Sequence, residues 1–150
     1  MLATDGSEYS EAAIERCVSM IDATGGAEIK VLSVYERLRP MSGEPFGLSN
    51  EYYRQAENAS RKLAEDAVEK AKETLRKHLP DASTVITTEV DPGRPARIIV
   101  ETATDWKADI VVMGSHGHGF WARNLIGSAS DGVVHHAPCS VLIVRKPAAE

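Results

Sequence analysis

Glycines, histidines and serines are concentrated in one stretch near the end of the chain, VVMGSHGHGFWARNLIGSAS. Glycine lets a backbone take positive φ and approach a phosphate closely, and the unpaired amides at the start of a following helix point at negative charge. Ser128 and Ser130 add hydroxyl donors. The stretch therefore predicts an anion site, although the same glycines would also suit a turn that binds nothing.

The histidines of this region could hold a metal ion or carry a proton. The spacing contains neither CxxC nor HExxH, the patterns typical of zinc sites, so we expect no metal site. Two of the histidines fall in the last turn of a predicted helix, where the helix dipole is sufficient to explain them. The residues concerned are His116, His118, His135, His136 and Cys139.

Catalysis is the second possibility for this stretch. HGHG is similar to the HxGH motif of nucleotidyltransferases, but that motif follows the first strand of its fold, and here it follows the fourth predicted strand. No Walker lysine follows the glycines, and no DxD or HRD pattern occurs. We therefore predict no catalytic residue. A slow ATP hydrolase, or a nucleotidyl or phosphoryl transferase, remains the alternative to a binding protein.

Length and charge limit the domain organisation and the kinds of partner that the protein can have. A chain of 150 residues suits one domain. The 17 basic and 22 acidic side chains give a formal charge of −5, which disfavours nucleic acid and anionic membranes as partners. No apolar run approaches the length of a membrane span. Cys17 and Cys139 lack redox spacing, and no signal peptide is recognisable, so we expect a cytoplasmic protein.

Strands alternate with helices along the chain. In the long helix, apolar residues recur every three or four positions, which predicts packing by one side. Those residues are Tyr52, Ala56, Ala59, Leu63, Ala67, Ala71 and Leu75. The predicted strands are residues 1–4, 28–36, 83–90, 108–114 and 140–144. The predicted helices run from Ser7 and Glu8 to a stop at Gly25 and Gly26, from Glu51 to Leu79, from Pro95, and from Gly127 to His136, with a long loop at 37–50.

This alternation predicts an α/β fold, a single doubly wound domain spanning residues 1–150. We expect a five-stranded parallel sheet of strand order 3-2-1-4-5 with helices on both faces. Ligands of such sheets bind outside the carboxyl ends of the strands, where the strand order reverses. The loops after the first and fourth strands, TDGS and GSHGHGFWARNLIGSAS, are therefore the expected site.

Three segments carry a resemblance to the universal stress protein family: ATDGSEYSEAA, DPGRPARIIVETATDWKADIVVMGSHG and IGSASDGVVHHAPCSVLIVRK. The resemblance covers the chain apart from residues 37–50. Its most specific element is the family's nucleotide signature, in which a glycine is followed after two residues by a second glycine, and after nine more by glycine and serine or threonine. Gly114, Gly117, Gly127 and Ser128 match both spacings.

The resemblance implies a bound ATP, AMP or ADP, with or without Mg²⁺, and a nucleotide-dependent regulatory module of the stress response or of signalling. Asp5 resembles the acid that holds the ribose, and Val34 the backbone contact to adenine. The other implied contacts are Ala3 and Thr4 in the same pocket, Met113 and Gly114 under the ribose, His116 and Gly117 at the start of the phosphate loop, and Gly127, Ser128, Ala129 and Ser130 around the phosphates. An apolar strand at the sheet edge also favours a homodimer through Ser140 to Val144, and a protein partner of unknown identity is expected.

Overall fold

Strands and helices alternate through the whole fold. The structure, a computed structural model, describes residues 1–22, 27–37, 49–80, 83–116 and 126–145. The strands are β1 (Leu2–Ala3), β2 (Glu28–Tyr35), β3 (Val85–Pro92), β4 (Ile110–Gly114) and β5 (Ser140–Val144). The helices are α1 (Glu8–Asp22), α2 (Asn50–His78), α3 (Pro95–Asp105) and α4 (Ser128–His136). The predicted helix stop at Gly25 and Gly26 and most of the predicted loop 37–50 lie outside the described residues.

The five strands form one parallel sheet in the order β3-β2-β1-β4-β5. Helices α1 and α2 cover one face of the sheet, where side chains such as Ala13, Val68 and Leu75 form a buried cluster. Helices α3 and α4 cover the other face, around Ile99 and Val133. The predicted fold class and strand order are confirmed. Within the described part of the chain, no helix is both long and apolar enough to cross a bilayer.

The starts of α2 and α3 have residues suited to those positions. Ser49 caps α2, since its side-chain oxygen accepts a hydrogen bond from the Tyr52 amide, and Arg76, Lys77 and His78 fall in the last turn, where basic charge suits the helix dipole. Pro95 occupies the first turn of α3, where its missing N–H costs nothing. β3 runs on to Pro92, two residues beyond its predicted end.

The predicted apolar stripe of α2 is only half correct. Ala67, Ala71 and Leu75 are buried, but Leu63 is 71% exposed and Tyr52 is 49% exposed. The reason is length, because a helix of 29 residues spans about 43 Å whereas the eight-residue strands beneath it span about 26 Å. The first half of α2 therefore extends beyond the sheet.

The central strand β1 is short. Beyond its end, backbone groups of β2 and β4 that face β1 have no strand residue opposite them to bond to. In a parallel sheet, alternate residues of a strand direct N–H and C=O to the same neighbour. On β2, the Leu32 carbonyl accepts from the Thr4 amide at 2.9 Å, so Leu32 and, two residues on, Val34 both face β1. β1 ends at Ala3, and the chain turns away at Gly6, whose φ is +79°. Its ladder therefore stops before it reaches Val34.

Candidate functional site

A cavity formed by the described residues lies at the carboxyl ends of β1, β2 and β4, on the face covered by α3 and α4. Its volume is about 890 Å³, within the usual range for a small-molecule site. Eleven of the twelve residues expected in the site line it: Ala3, Thr4, Asp5, Val34, Met113, Gly114, His116, Gly127, Ser128, Ala129 and Ser130. The twelfth, Gly117, lies outside the described residues. The cavity brings together residues that lie more than a hundred positions apart in the sequence.

The turn after β1 fixes one side of the cavity. Asp5 Oδ1 accepts a hydrogen bond from the Ser7 amide at 3.0 Å, which holds the carboxylate at the strand end. The Thr4 hydroxyl accepts from the Gly6 amide at 3.2 Å and donates to Ser10 Oγ at 3.0 Å. The Thr4 side chain therefore stabilises this turn, whereas the Asp5 carboxylate lines the cavity.

Apolar side chains form the middle of the cavity. Leu32 and Val34 reach it from β2 and Met113 reaches it from β4, while Pro95 and Ile99 cover it from α3. Pro95 and Ile99 were not predicted as site residues. The signal that could have found them is Pro95 itself, because it begins a helix directly after β3 and so lies at the carboxyl edge of the sheet.

The first turn of α4 forms the opposite side. Gly127 is the N-cap residue and provides no side-chain cap, and the first amide bonded within the helix is that of Asp131, which donates to the Gly127 carbonyl at 2.8 Å. The amides of Ser128, Ala129 and Ser130 therefore have no acceptor in the helix and are suited to an anion. Asp131 also lines the cavity, and its Oδ1 lies 3.6 Å from His135 Nε2.

The two serines of this turn differ in their surroundings. Ser128 is exposed, whereas Ser130 is 2% exposed and donates its hydroxyl hydrogen to the Gly114 carbonyl at 2.9 Å. The Gly127 amide is also engaged, since it donates to the Ser115 carbonyl at 2.8 Å. Of these groups, the Ser128 hydroxyl and the open amides are the ones that a ligand could contact without displacing a hydrogen bond described above.

Gly114 and Gly127, the two described glycines of the loop after β4, do not have positive φ. Among the described glycines, only Gly6 and Gly93 have positive φ. At Gly114 a Cβ atom would lie 2.7 Å from the Tyr9 carbonyl carbon, and at Gly127 it would lie 3.3 Å from both His116 Cα and the Ser115 carbonyl oxygen. Close packing between backbones thus requires glycine at position 114, whereas at position 127 an added Cβ would fit only after small shifts of its neighbours. Gly117 and Gly119 lie outside the described residues, so positive φ at those two positions stays a prediction.

His116 is held at the start of the loop that follows β4. Its Nδ1 lies 3.0 Å from Ser115 Oγ, and its ring contacts the Tyr9 ring with centroids 5.2 Å apart. Nε2 is buried and has no hydrogen-bond partner among the described residues.

Across the described ranges, no three His, Cys, Asp or Glu side chains converge as metal ligands would. His118 lies outside them, and His136 Nδ1 contacts the Gly132 carbonyl at 2.8 Å.

The sheet order 3-2-1-4-5, with a cavity where the strand order reverses, defines this protein as a doubly wound α/β protein with a candidate ligand site at the carboxyl ends of its strands. The model of the universal stress protein family matches residues 1–145, and the chain belongs to that family. A "Universal stress protein in QAH/OAS sulfhydrylase 3'region" from Thermus aquaticus is 33% identical over 146 residues, covering 97% of this chain and 96% of the relative.

Solved structures have the same fold. The universal stress protein UspA from Lactobacillus plantarum superposes with a TM-score of 0.77 at 23% identity, covering 96% of this chain and 95% of that one. A universal stress protein in complex with cAMP has a TM-score of 0.62 at 24% identity, with 96% and 93% covered. A family member from Arabidopsis thaliana with AMP bound has a TM-score of 0.63 at 16% identity, with 93% and 79% covered.

Proposed function

We propose that this protein binds an adenine nucleotide, AMP, ADP or ATP, in the cavity at the carboxyl edge of the sheet and serves as a nucleotide-dependent regulatory module. The observation that carries the proposal is the convergence, in one cavity of about 890 Å³, of the strand end at Val34, the Asp5 carboxylate and the open amides of α4. The cAMP and AMP bound to proteins of the same fold support the adenine nucleotide as ligand.

Base selectivity follows from the Val34 backbone. Val34 directs both N–H and C=O toward the place that β1 leaves open, beside the apolar side chains of Leu32 and Ile99. Adenine offers an amino donor next to a ring-nitrogen acceptor, which matches that pair, whereas guanine offers an oxygen acceptor where adenine has its donor. We therefore expect AMP to bind at least about fivefold more tightly than GMP, since one such pair contributes about 1–3 kcal/mol.

Phosphate binding rests on dipoles, not on basic side chains. Among the described residues that line the cavity there is no lysine or arginine, and there are two carboxylates, Asp5 and Asp131. The amides of Ser128, Ala129 and Ser130 supply the positive potential at the start of α4. Mg²⁺ would reduce the repulsion between ATP and the two carboxylates, so we expect ATP to bind more tightly with Mg²⁺ than without it.

Titration calorimetry of the purified protein with AMP, ADP, ATP and GMP, with and without Mg²⁺, tests the proposal. We expect micromolar dissociation constants for the adenine nucleotides and weaker binding by Ser128→Ala. Ser19→Ala is the matched control, because Ser19 is an exposed serine on α1 whose hydroxyl donates to the Arg16 carbonyl. Absence of binding at millimolar AMP and ATP, in protein shown to be folded, would overturn the proposal. Phosphate release measured in the same samples tests the alternative ATP hydrolase.

We also propose that the protein forms a homodimer through β5. This strand is an edge of the sheet, and the four residues after Ser140 are half-buried. The Val144 carbonyl accepts from the Ser115 amide, so Val144 and Leu142 bond to β4, and Val141 and Ile143 direct N–H and C=O outward. The cytoplasmic location and the protein partner stay predictions from the sequence.

Analytical ultracentrifugation tests the dimer. Ile143→Pro removes an outward N–H but no bond to β4, so we expect a folded monomer. Leu142→Pro is the control that breaks the ladder to β4 and lowers stability. A monomeric wild-type protein at micromolar concentration, or an Ile143→Pro variant that still dimerises with wild-type affinity, would contradict an interface made by strand pairing.

A further inference from the structure

Ser130 lies where the short central strand leaves β4 incomplete. The Met1 carbonyl accepts from the Val112 amide at 2.9 Å, so Val112 and, two residues on, Gly114 face β1. β1 ends at Ala3, which is the register partner of Met113. Two more residues of β1, Thr4 and Asp5, would have to continue in strand conformation for an amide of β1 to donate to the Gly114 carbonyl. That acceptor instead receives the Ser130 hydroxyl at 2.9 Å.

A second hydrogen bond joins the same two elements. The Gly127 amide donates to the Ser115 carbonyl at 2.8 Å, one residue further along the chain from Gly114. Gly127 has no Cβ, which permits its close approach to Ser115 and His116. The start of α4 is thus fastened to the end of β4 by two bonds, one from a side chain and one from the backbone.

We infer that Ser130 is a positioning residue, which completes the β4 ladder through Gly114 and thereby holds the open amides of α4 at the cavity, and that it is not a phosphate ligand. The inference rests on the proposed nucleotide function for its effect on affinity. A phosphate oxygen accepts hydrogen bonds, so a Ser130 hydroxyl that donated to phosphate would leave the Gly114 carbonyl buried without a donor, which is unfavourable. Ser128 is exposed, and its hydroxyl donates to no carbonyl group in the described contacts. Its hydroxyl is therefore the one that contacts phosphate.

The test separates positioning from direct contact by examining the protein before any nucleotide is added. In Ser130→Ala we expect the Gly114 carbonyl ¹³C resonance and the amide resonances of Gly127 and Asp131 to shift in the free protein, with faster hydrogen exchange at Gly127. In Ser128→Ala, the matched control two residues earlier in the same turn, the Gly114 carbonyl resonance and the exchange rate of the Gly127 amide should stay at their wild-type values. Circular dichroism and thermal unfolding verify that both variants are folded.

Calorimetry with adenosine and AMP supplies the second readout. Ser130→Ala should bind AMP about tenfold more weakly and adenosine with unchanged affinity, because only the phosphate depends on the amides of α4. A loss of AMP affinity without any change in the free-protein signals would make Ser130 a direct ligand and overturn the inference. Unchanged AMP affinity together with unchanged signals would overturn it as well. If the wild-type protein binds neither adenosine nor AMP, the proposed function fails, and the resonances of the free protein still decide whether Ser130 fastens α4 to β4.

Discussion

Gly114→Ala tests whether α1 and β4 pack as closely as the structure indicates. The added Cβ would lie 2.7, 2.8 and 2.9 Å from the carbonyl carbon, carbonyl oxygen and Cβ of Tyr9. Two of these atoms belong to helix backbone, so a rotamer change cannot relieve the overlap. Because Gly114 has no positive φ, backbone conformation adds no strain of its own.

The expected loss in the free energy of unfolding follows from this geometry. Overpacking a core costs about 1–3 kcal/mol, and contact with backbone favours the upper end of that range. Replacing glycine by alanine restricts the unfolded chain and returns about 0.4–1 kcal/mol. The free energy of unfolding should therefore fall by about 2 kcal/mol, which corresponds to a decrease in Tm of about 4–8 °C for a domain of this size.

Urea denaturation followed by circular dichroism measures this change, and Gly127→Ala is the matched control. Its added Cβ would lie 3.3 Å from the nearest atoms, so neighbouring groups need to move by only a few tenths of an ångström. We expect the control to lose less than about 1 kcal/mol of stability while binding AMP more weakly. Equal urea midpoints for wild-type protein and Gly114→Ala would refute the close packing of α1 on β4.

Three further perturbations have defined outcomes. A Cβ at Gly132 would lie 2.7 Å from Ala96 Cβ, where α4 crosses α3, so Gly132→Ala should be less destabilising in an Ala96→Gly background; a double-mutant cycle by urea unfolding measures this, and equal costs in both backgrounds would contradict it. Asp131→Asn removes a carboxylate from the cavity and should strengthen ATP binding without Mg²⁺ by about two- to fivefold at low salt, an effect that added salt should diminish; unchanged affinity in low-salt calorimetry would count against the proposed phosphate position. Burial, and then Glu89, raise the pKa of Asp91 above its ordinary value of 3.8, so the native protein binds this proton more tightly than the unfolded chain does, and stability is lost as the pH rises through the raised pKa. Asp91→Asn should therefore raise the urea midpoint at pH 7 and leave it unchanged below the pKa range; a lowered midpoint at pH 7 would reverse the sign of this argument.

The fold could be predicted because its signals are local. Apolar strands such as VLSV and IVVMG, and capping patterns such as Ser7 followed by Glu8, depend on neighbours in the sequence. The edge of the sheet that carries the site follows from the parallel topology alone. The individual site residues were implied by the resemblance to the universal stress protein family, and eleven of them line one cavity at that edge.

Other properties depended on contacts that a single sequence does not contain. Ser128 and Ser130 look equivalent in the sequence, yet a carbonyl sixteen residues away makes Ser130 structural. The demand for glycine at position 114, at the end of β4, comes from Tyr9 on helix α1. Leu63 has a core residue's spacing in α2, but whether a sheet lies beneath it depends on strand lengths elsewhere. Tertiary context decided each case.

The overhang of α2 divides the helix into two regions of different stability. From Ala64 onward the helix buries its apolar side against β2 and β3, so opening its hydrogen bonds there requires unfolding of the core. Before Ala64 it is supported by the Ser49 cap and by exposed ion pairs such as Arg54 with Glu51, and one such pair contributes about 0.3–0.5 kcal/mol. Amide exchange along α2 should therefore slow by orders of magnitude on passing Ala64, so that a helix continuous in its geometry is two cooperative units in its thermodynamics.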